Sequence, residues 1–398
     1  MGEISRMKGA FARWQDPKGM IDDRSFDIEF PPVRHSTRVA VAAGGVSRIG
    51  ERMAEAGVAV DGRLVLAVGD LGAEAVAFGG IEASLQASGA TVAWHRLEPT
   101  EPVKVQATAD RIVEWAIELG ADRGTPVVAV GGGIVCDLAG HVAGTLLRGV
   151  PLVLVPTTLL AMVDAAFGGK TAVNVPLSEG RLGRNLVGGF HPASLVVADV
   201  ATLGTLPERD LRSGLAECVK HAWIGGEEDL GRLEAHADVL AAPNPDRGAS
   251  LHELVERSIA LKSEIVIRDP FERADRRLLN LGHTYAHAIE ARPGNRWRHG
   301  EAVAIGLVAA TAASEAAGRA ESGLARRMRT LLERLGLPVD LGEAVPVGEL
   351  RGLMQLDKKR TGRALRLVLP VRPGAIEVVE APPEEIVAAG WQAVGATP

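Results

Sequence analysis

Cysteine is almost absent. The two that occur, Cys136 and Cys218, stand far apart and in no C-x-x-C pattern, which argues against a disulfide scaffold and fits a reducing compartment. Long hydrophobic runs are missing too: the longest apolar stretch, Ala302 to Ser314, is too short to span a bilayer. Met1 to Arg24 is charged throughout and carries no apolar core, so no secretory signal is expected. Positive charge is not in excess. The 44 Lys and Arg are outnumbered by 50 Asp and Glu, for a net charge of −6 and an isoelectric point near 6.0. With no basic stripe, nucleic acid is not an expected partner. A small anionic substrate stays open, because local clusters matter more than net charge. No internal repeat or low-complexity tract interrupts the chain. The expectation is a soluble, cytoplasmic protein with no membrane partner.

What is present is ordinary globular material. The chain has 398 residues, 46% hydrophobic and 24% charged, enough for two domains with real cores. Residues 1–36 read as an N-terminal extension punctuated by Pro31-Pro32, with an alternating stretch, Phe26 to Phe30, that suits an edge strand. From 37 to 205, short apolar runs alternate with helical patterns. The runs are Arg63 to Gly69, Thr91 to Trp94, Pro126 to Val130, Pro151 to Val155 and Ser194 to Ala198. That alternation implies parallel strands with helical crossovers, a Rossmann-like α/β domain. From 206 to 398 the pattern turns helical: Leu211 to Trp223, Leu251 to Ile267, Arg276 to Ala291, Glu301 to Ala317 and Ser322 to Leu335. A small strand pair, Ala364 to Leu369 and Ala375 to Val379, precedes a last helix from about Pro383. A cleft is expected between the strand ends and the helical half.

Several stretches carry chemistry. Gly131-Gly132-Gly133 follows a strand and opens a helix, so backbone N–H groups and a helix N-terminus would face a phosphate there. It is not a G-x-G-x-x-G fingerprint, and a tight turn without ligand is the plainer alternative. Gly168-Gly169-Lys170-Thr171 mimics the end of a phosphate-binding loop, but Ala165 stands where that loop needs glycine. A flexible lysine suited to an anion is what survives. Three of the ten histidines fall between Arg276 and Glu301. His283 and His287 are four apart and would share a helix face. One reading makes them a pair, and a wet histidine stripe would look the same. Another joins Glu217, His283 and His299 into a two-His, one-carboxylate set, a usual catalytic zinc environment. Glu217 and Lys220, three apart, would otherwise be a solvated ion pair. Lys262 would otherwise be a snorkelling surface lysine.

Taken together and in order, these stretches resemble the 3-dehydroquinate synthases of the sugar-phosphate cyclase family. The resemblance rests on GGGIVCDLAG (131–140), RGVPLVLVPTTLLAMVDAAFGGKTAVN (148–174), LPERDLRSGLAECVK (206–220), LNLGHTYAHAIE (279–290), HGEAVAIG (299–306) and DKK (357–359). It implies an N-terminal NAD-binding domain and a C-terminal, mainly α-helical metal-binding domain. It also implies cyclisation of a seven-carbon sugar acid phosphate, 3-deoxy-arabino-heptulosonate 7-phosphate, with phosphate release, NAD used catalytically and zinc (or Co2+) as the metal. The zinc ligands implied are Glu217, His283 and His299, which gives His287 to the substrate instead. Substrate contacts implied are Asp164, Lys170, Asn185, Lys220, Lys262, Arg276, Asn280, His287 and Lys358 or Lys359. Arg148 matches an arginine that reaches the phosphate from a neighbouring subunit, implying a homodimer. NAD contacts implied are Asp70, Glu101, Lys104, Gly131 to Gly133, Asp137, Thr157, Thr158 and Thr205. Arg184, standing where the family usually has lysine, belongs with these cofactor-side residues, and Ser178 to Gly183 lengthens the loop before it. The alternatives are a related cyclase acting on sedoheptulose 7-phosphate or an amino analogue, and a polyol dehydrogenase of the glycerol dehydrogenase type. A non-catalytic binding protein that keeps the fold is a third.

Overall fold

The computed structural model describes residues 35–178, 181–243, 247–361 and 364–398, the side chains of 356–361 excepted. The stretch Phe26 to Phe30 lies outside them, as does the side chain of Lys358. The α/β half runs β1 (Arg38–Ala42), α1 (Ile49–Glu55), β2 (Leu64–Asp70), α2 (Gly79–Ala87), β3 (Thr91–Leu97), α3 (Gln106–Glu118), β4 (Val127–Gly131), α4 (Gly133–Thr145) and β5 (Leu152–Pro156). A hairpin of β6 (Lys170–Pro176) and β7 (Leu182–Phe190) then precedes β8 (Leu195–Asp199). The rest is mainly helical: α5 (Glu208–Gly225), α6 (Glu227–Ala241), α7 (Arg247–Arg268), α8 (His283–Glu290), α9 (His299–Ala316), α10 (Leu324–Arg334) and α11 (Val347–Thr361). The strand pair β9 (Arg366–Arg372) and β10 (Ala375–Glu380) and helix α12 (Glu384–Ala393) close the chain.

The main sheet has the order β1-β8-β5-β4-β2-β3, all parallel. Its middle strands, VVAVG, LVLVP and LVVAD, are buried at every position, as both-faced parallel strands must be. Alternate residues feed two cores. Val128, Val130, Val153, Val155, Leu195 and Val197 pack with Ile49, Ile81 and Leu85 of α1 and α2. Val127, Ala129, Leu152, Leu154 and Val196 face the other way, into a core that includes α4 and runs on without interruption into the helical half. Strand order reverses across β2, with β3 on one side and β4 on the other, which puts the switch point, the usual place of a ligand crevice in such sheets, at the carboxyl ends of β2 and β4.

The helical half is built around α9. Its sequence, HGEAVAIGLVAATAASEA, is apolar almost all round and nearly all of it is buried. Glycines let its neighbours come close. A Cβ on Gly300 would lie 1.8 Å from the Ser213 carbonyl oxygen of α5, and one on Gly306 would lie 2.2 Å from the Gly282 carbonyl. The same approach corrects the expected continuous helix Arg276 to Ala291. The chain instead makes a 3₁₀ segment, Asp275–Asn280, breaks at Leu281–Gly282, and restarts as α8. Gly282 takes φ 78°, and its own Cβ would meet the Leu307 amide at 2.9 Å, so contact with α9 overrides the helical period. The β6–β7 hairpin, β1, α6 and α11 were not expected from the sequence. No helix of the described residues is long and apolar enough to cross a membrane.

Candidate active site

Two helix contacts assemble the metal-type cluster. Ser213 of α5 touches Gly300 of α9, and Glu217 lies one turn further along α5, beside His299 at the start of α9. Gly282 touches Gly306, and His283 is the next residue. Glu217 thus meets both histidines: its Oε1 is 3.4 Å from His283 Nε2 and 3.3 Å from His299 Nε2. One ligand atom from each of the three residues lies within 4.8 Å of the others. His283 Nδ1 faces the Leu281 carbonyl at 3.1 Å. A carbonyl can only accept, so Nδ1 donates and the neutral ring keeps its Nε2 lone pair for the cluster. His299 Nδ1 faces Glu290 Oε1 at 3.5 Å in the same sense.

The donor set fits a divalent cation of the zinc or cobalt type. Glu217 is fully buried, and neither of its oxygens has a well-formed hydrogen bond despite the ion pair with Lys220. Burial would push its carboxyl up, but Lys220 and the two histidines hold it well below the usual range. His299 shows the reverse balance: burial would lower it, but the Glu217 and Glu290 carboxylates beside it raise it to about 10. Glu290, also opposed by burial, is held at about 2 by His299, with Arg184 adding to the pull. A second set, Asp164, Glu217 and His221, is equally close. Lys262 occupies Asp164 and Lys220 occupies Glu217, so ammonium groups already fill that side. His221 is buried with both ring nitrogens unpartnered, and burial beside Lys220 drives it down to about 3.

Beside this cluster Lys220, Lys262 and Arg276 are buried, not snorkelling, whereas Lys170 is exposed. Lys262 donates to both the carboxylate and the carbonyl of Asp164, which sits in a π-helical turn, Ala161–Ala165. Arg276 is 4% exposed and donates to the carbonyls of Pro270 (2.7 Å) and Gly168 (3.2 Å). Glu217 and Lys220 form a pair with 0% and 1% side-chain exposure, far from the solvated pair a lone i,i+3 spacing suggests. Lys170, at the start of β6, pairs with Glu272, which also accepts from Asn280 Nδ2 at 2.9 Å. His287, one turn beyond His283, stands with its ring 5.7 Å from that of His283. Arg148 is exposed, and both it and Leu147 adopt positive φ, 68° and 51°.

The second group gathers at the strand ends. Gly131 closes β4, Gly132 caps α4 and Gly133 opens it, so the α4 N-terminus faces the crevice. Thr157 donates its amide to the Gly131 carbonyl at 3.0 Å, and Thr158 Oγ1 accepts from Ala161 at 3.2 Å. Asp70 closes β2 and accepts from Gly72 at 2.7 Å. Lys104 is buried between Asp137 and Asn185, donating to Asn185 Oδ1 at 2.6 Å. Glu101 accepts from Asn174 Nδ2 at 2.7 Å. Two cofactor-side residues stand apart: Thr205 is exposed at the end of the 3₁₀ segment Val200–Thr205, and Arg184 donates to Glu290.

Three residues of the site escaped the sequence reading. Glu272 looked like one more acid in a charged loop. Asn174 hid in an apolar strand. Glu290 did leave a signal, since it lies seven residues after His283 and so on the same helix face.

Comparison with known proteins agrees across the chain. The sequence model for the 3-dehydroquinate synthase N-terminal region matches residues 94–213, and that for the C-terminal region matches residues 214–360. A 3-dehydroquinate synthase from Symbiobacterium thermophilum is 46% identical over 297 residues, covering 74% of this chain and 81% of that protein. Among solved structures, a 2-epi-5-epi-valiolone synthase from Streptomyces hygroscopicus subsp. jinggangensis, with NAD+ and Zn2+ bound, superposes with TM-score 0.79 at 25% identity, covering 93% of this chain and 99% of that one. A 2-deoxy-scyllo-inosose synthase complexed with carbaglucose-6-phosphate, NAD+ and Co2+ gives TM-score 0.75 at 25% identity, covering 89% and 96%.

Proposed function

The chain belongs to the 3-dehydroquinate synthase family, and from that premise we propose that it cyclises 3-deoxy-arabino-heptulosonate 7-phosphate to 3-dehydroquinate with release of phosphate. One observation carries the substrate class. Three buried cations, Lys220, Lys262 and Arg276, converge there, and the Arg276 guanidinium donates to the Pro270 and Gly168 carbonyls and not to a carboxylate. A site like that favours an anionic ligand. Lys262 and Arg276 take the substrate carboxylate, Arg276 through its fork of donors. Lys170, Asn280 and His287 take the phosphate, with one of Lys358 or Lys359. Asp164 opposes the downward push of burial on the Lys262 ammonium and aims it, and Asn185 and Lys220 bound the sugar between the poles. Holding both ends of a flexible sugar is largely catalysis by positioning.

Glu217, His283 and His299 hold a divalent metal, which we take to be zinc, with Co2+ as a substitute. Gly131 to Gly133, Thr157, Thr158, Asp70, Glu101, Lys104, Asp137 and Thr205 hold NAD. When bound, the metal acidifies substrate hydroxyls and the dinucleotide takes up and returns a hydride. We divide the chain at 205/206 into the NAD-binding half and the metal-binding half. We also propose a cytoplasmic homodimer, in which Arg148, exposed and without an ion pair among the described residues, reaches the partner's phosphate site. The two unpaired cysteines suit that compartment.

Parallel assays with the heptulosonate phosphate and sedoheptulose 7-phosphate, following phosphate release, test the reading. The expected outcome is turnover of the first only, with NAD needed in catalytic amount. Turnover of the second would select a related cyclase. Stoichiometric NADH from polyols would select a dehydrogenase and refute the proposal.

A further inference from the structure

Arg184 and Asn185 are neighbours on β7, yet they reach in opposite directions. Asn185 turns toward the strand-end group: its Oδ1 accepts from Lys104 at 2.6 Å. Its backbone is in the left-handed region, φ 53°, an uncommon state for a residue other than glycine. Buried Asn174 holds it there, accepting the Asn185 amide at 2.9 Å while donating to the Glu101 carbonyl and carboxylate at 3.0 and 2.7 Å. The strand register slips at this point, between Val173 and Val175. Arg184 therefore leaves a backbone that is pinned. It crosses from the hairpin of the α/β half to the end of α8, where Nη1 donates to Glu290 Oε1 at 2.9 Å. That same oxygen lies 3.5 Å from His299 Nδ1, and His299 Nε2 lies 3.3 Å from Glu217.

We propose that Arg184 is a positioning residue of the metal centre: by holding the Glu290 carboxylate it fixes the His299 ring, so that divalent-metal affinity depends on the β6–β7 hairpin. The proposal rests on the metal reading given above and goes beyond it in giving Arg184 a place other than the dinucleotide. Carboxylates behind metal-binding histidines set the ring orientation and tautomer, and their loss costs about 10- to 100-fold in metal affinity. Arg184 acts on the same carboxylate oxygen that faces His299. The contact is a single charge-assisted bond, Nη1 to Oε1, whose charge a lysine could supply in part.

The test is a titration of the purified full chain with Co2+, read by the visible absorption of the bound ion, with no turnover involved. Arg184→Met should weaken Co2+ binding about tenfold. Arg184→Lys should recover part of that loss. Glu290→Gln should weaken binding at least as much, and adding Arg184→Met to it should cost nothing further, because the two residues act in series. NAD affinity, followed by tryptophan fluorescence, should be unchanged in Arg184→Met. Arg184 is half exposed, so its replacement leaves the fold intact. Unaltered Co2+ affinity in Arg184→Met overturns the proposal, and so does an equal loss in both backgrounds. Lost NAD affinity with Co2+ affinity intact would make Arg184 a cofactor contact. If the parent protein binds no Co2+ at all, the metal reading fails and this inference with it. That outcome is distinct from a parent that binds while Arg184→Met matches it.

Discussion

The two sides of the cleft bury charge in opposite ways. At the strand ends, Lys104 meets Asp137 and Asn185, and burial wins: the Asp137 carboxyl is pushed up, more than Lys104 offsets. At the helix cluster, burial is just as complete but loses. Lys220 and the histidines pull Glu217 down, and Lys262 with Lys220 pulls Asp164 down. The difference lies in how many counter-charges converge. Parallel strands supply backbone amides and one lysine. Helices packed through glycine contacts bring side chains from several elements to one point, so full charges can persist in the core. The first arrangement suits a ligand held mostly by backbone; the second suits a metal and an anion.

Substitutions can break this contrast. The largest effect belongs to Glu217→Gln, which leaves the Lys220 ammonium buried without its partner. Loss of a buried pair costs about 3–5 kcal/mol, and metal and activity should vanish together. Metal analysis beside an activity assay checks this, and a metal-free variant with full activity would sink the ligand assignment. Arg276→Ala comes next. Losing a charge-assisted contact worth about 1.5–3 kcal/mol should raise KM for the carboxylate substrate roughly 10- to 100-fold; an unchanged KM refutes the clamp. Asp137→Asn should cost less than Glu217→Gln, because burial already disfavours the Asp137 charge and Lys104 keeps Asn185. The sign with pH follows. A carboxyl whose folded pKa is raised contributes stability below its unfolded pKa and loses it as pH rises through the folded value. Asp137→Asn should therefore gain on the parent as pH rises through the carboxylate range, which urea denaturation at several pH values would show. A parallel pH response in the two proteins would equate the two sides of the cleft. The smallest effect concerns reactivity. Burial pushes both thiols, Cys136 in the α/β half and Cys218 in the helical half, to about 12, so a thiol reagent should label neither until the protein unfolds. Labelling of one in the native state would show that its half opens more readily.

The same contrast explains what the sequence revealed. Strands β2, β4, β5 and β8 are written in local apolar runs, and the runs predicted them to within a residue or two. The metal-type cluster was legible only as a list of donors. The i,i+4 spacing of His283 and His287 points to neighbours on one helix, whereas His299 reaches Glu217 and His283 through the packing of α9 on α8 and α5, which no local period records. Gly282, Gly300 and Gly306 carry that packing, yet in the sequence they look like helix weakeners. The β6–β7 hairpin was hidden for a similar reason. Its β7 face is largely exposed, so it lacks the buried alternation that marks a strand. Glu272 and Asn174 act through partners 102 and 11 residues away, Lys170 and Asn185, and nothing in their own neighbourhood sets them apart.

Strand β1 has a consequence in time. It is made before β8, its one partner strand among the described residues, and the Asp199 carboxylate that fixes the turn after it bonds Val46 across 153 residues of sequence. At ribosomal rates of about 5–20 residues per second, β1 waits roughly 10–30 s for its partner. During that wait one edge of the nascent sheet is uncovered, a natural hold for a chaperone and a natural opening for aggregation.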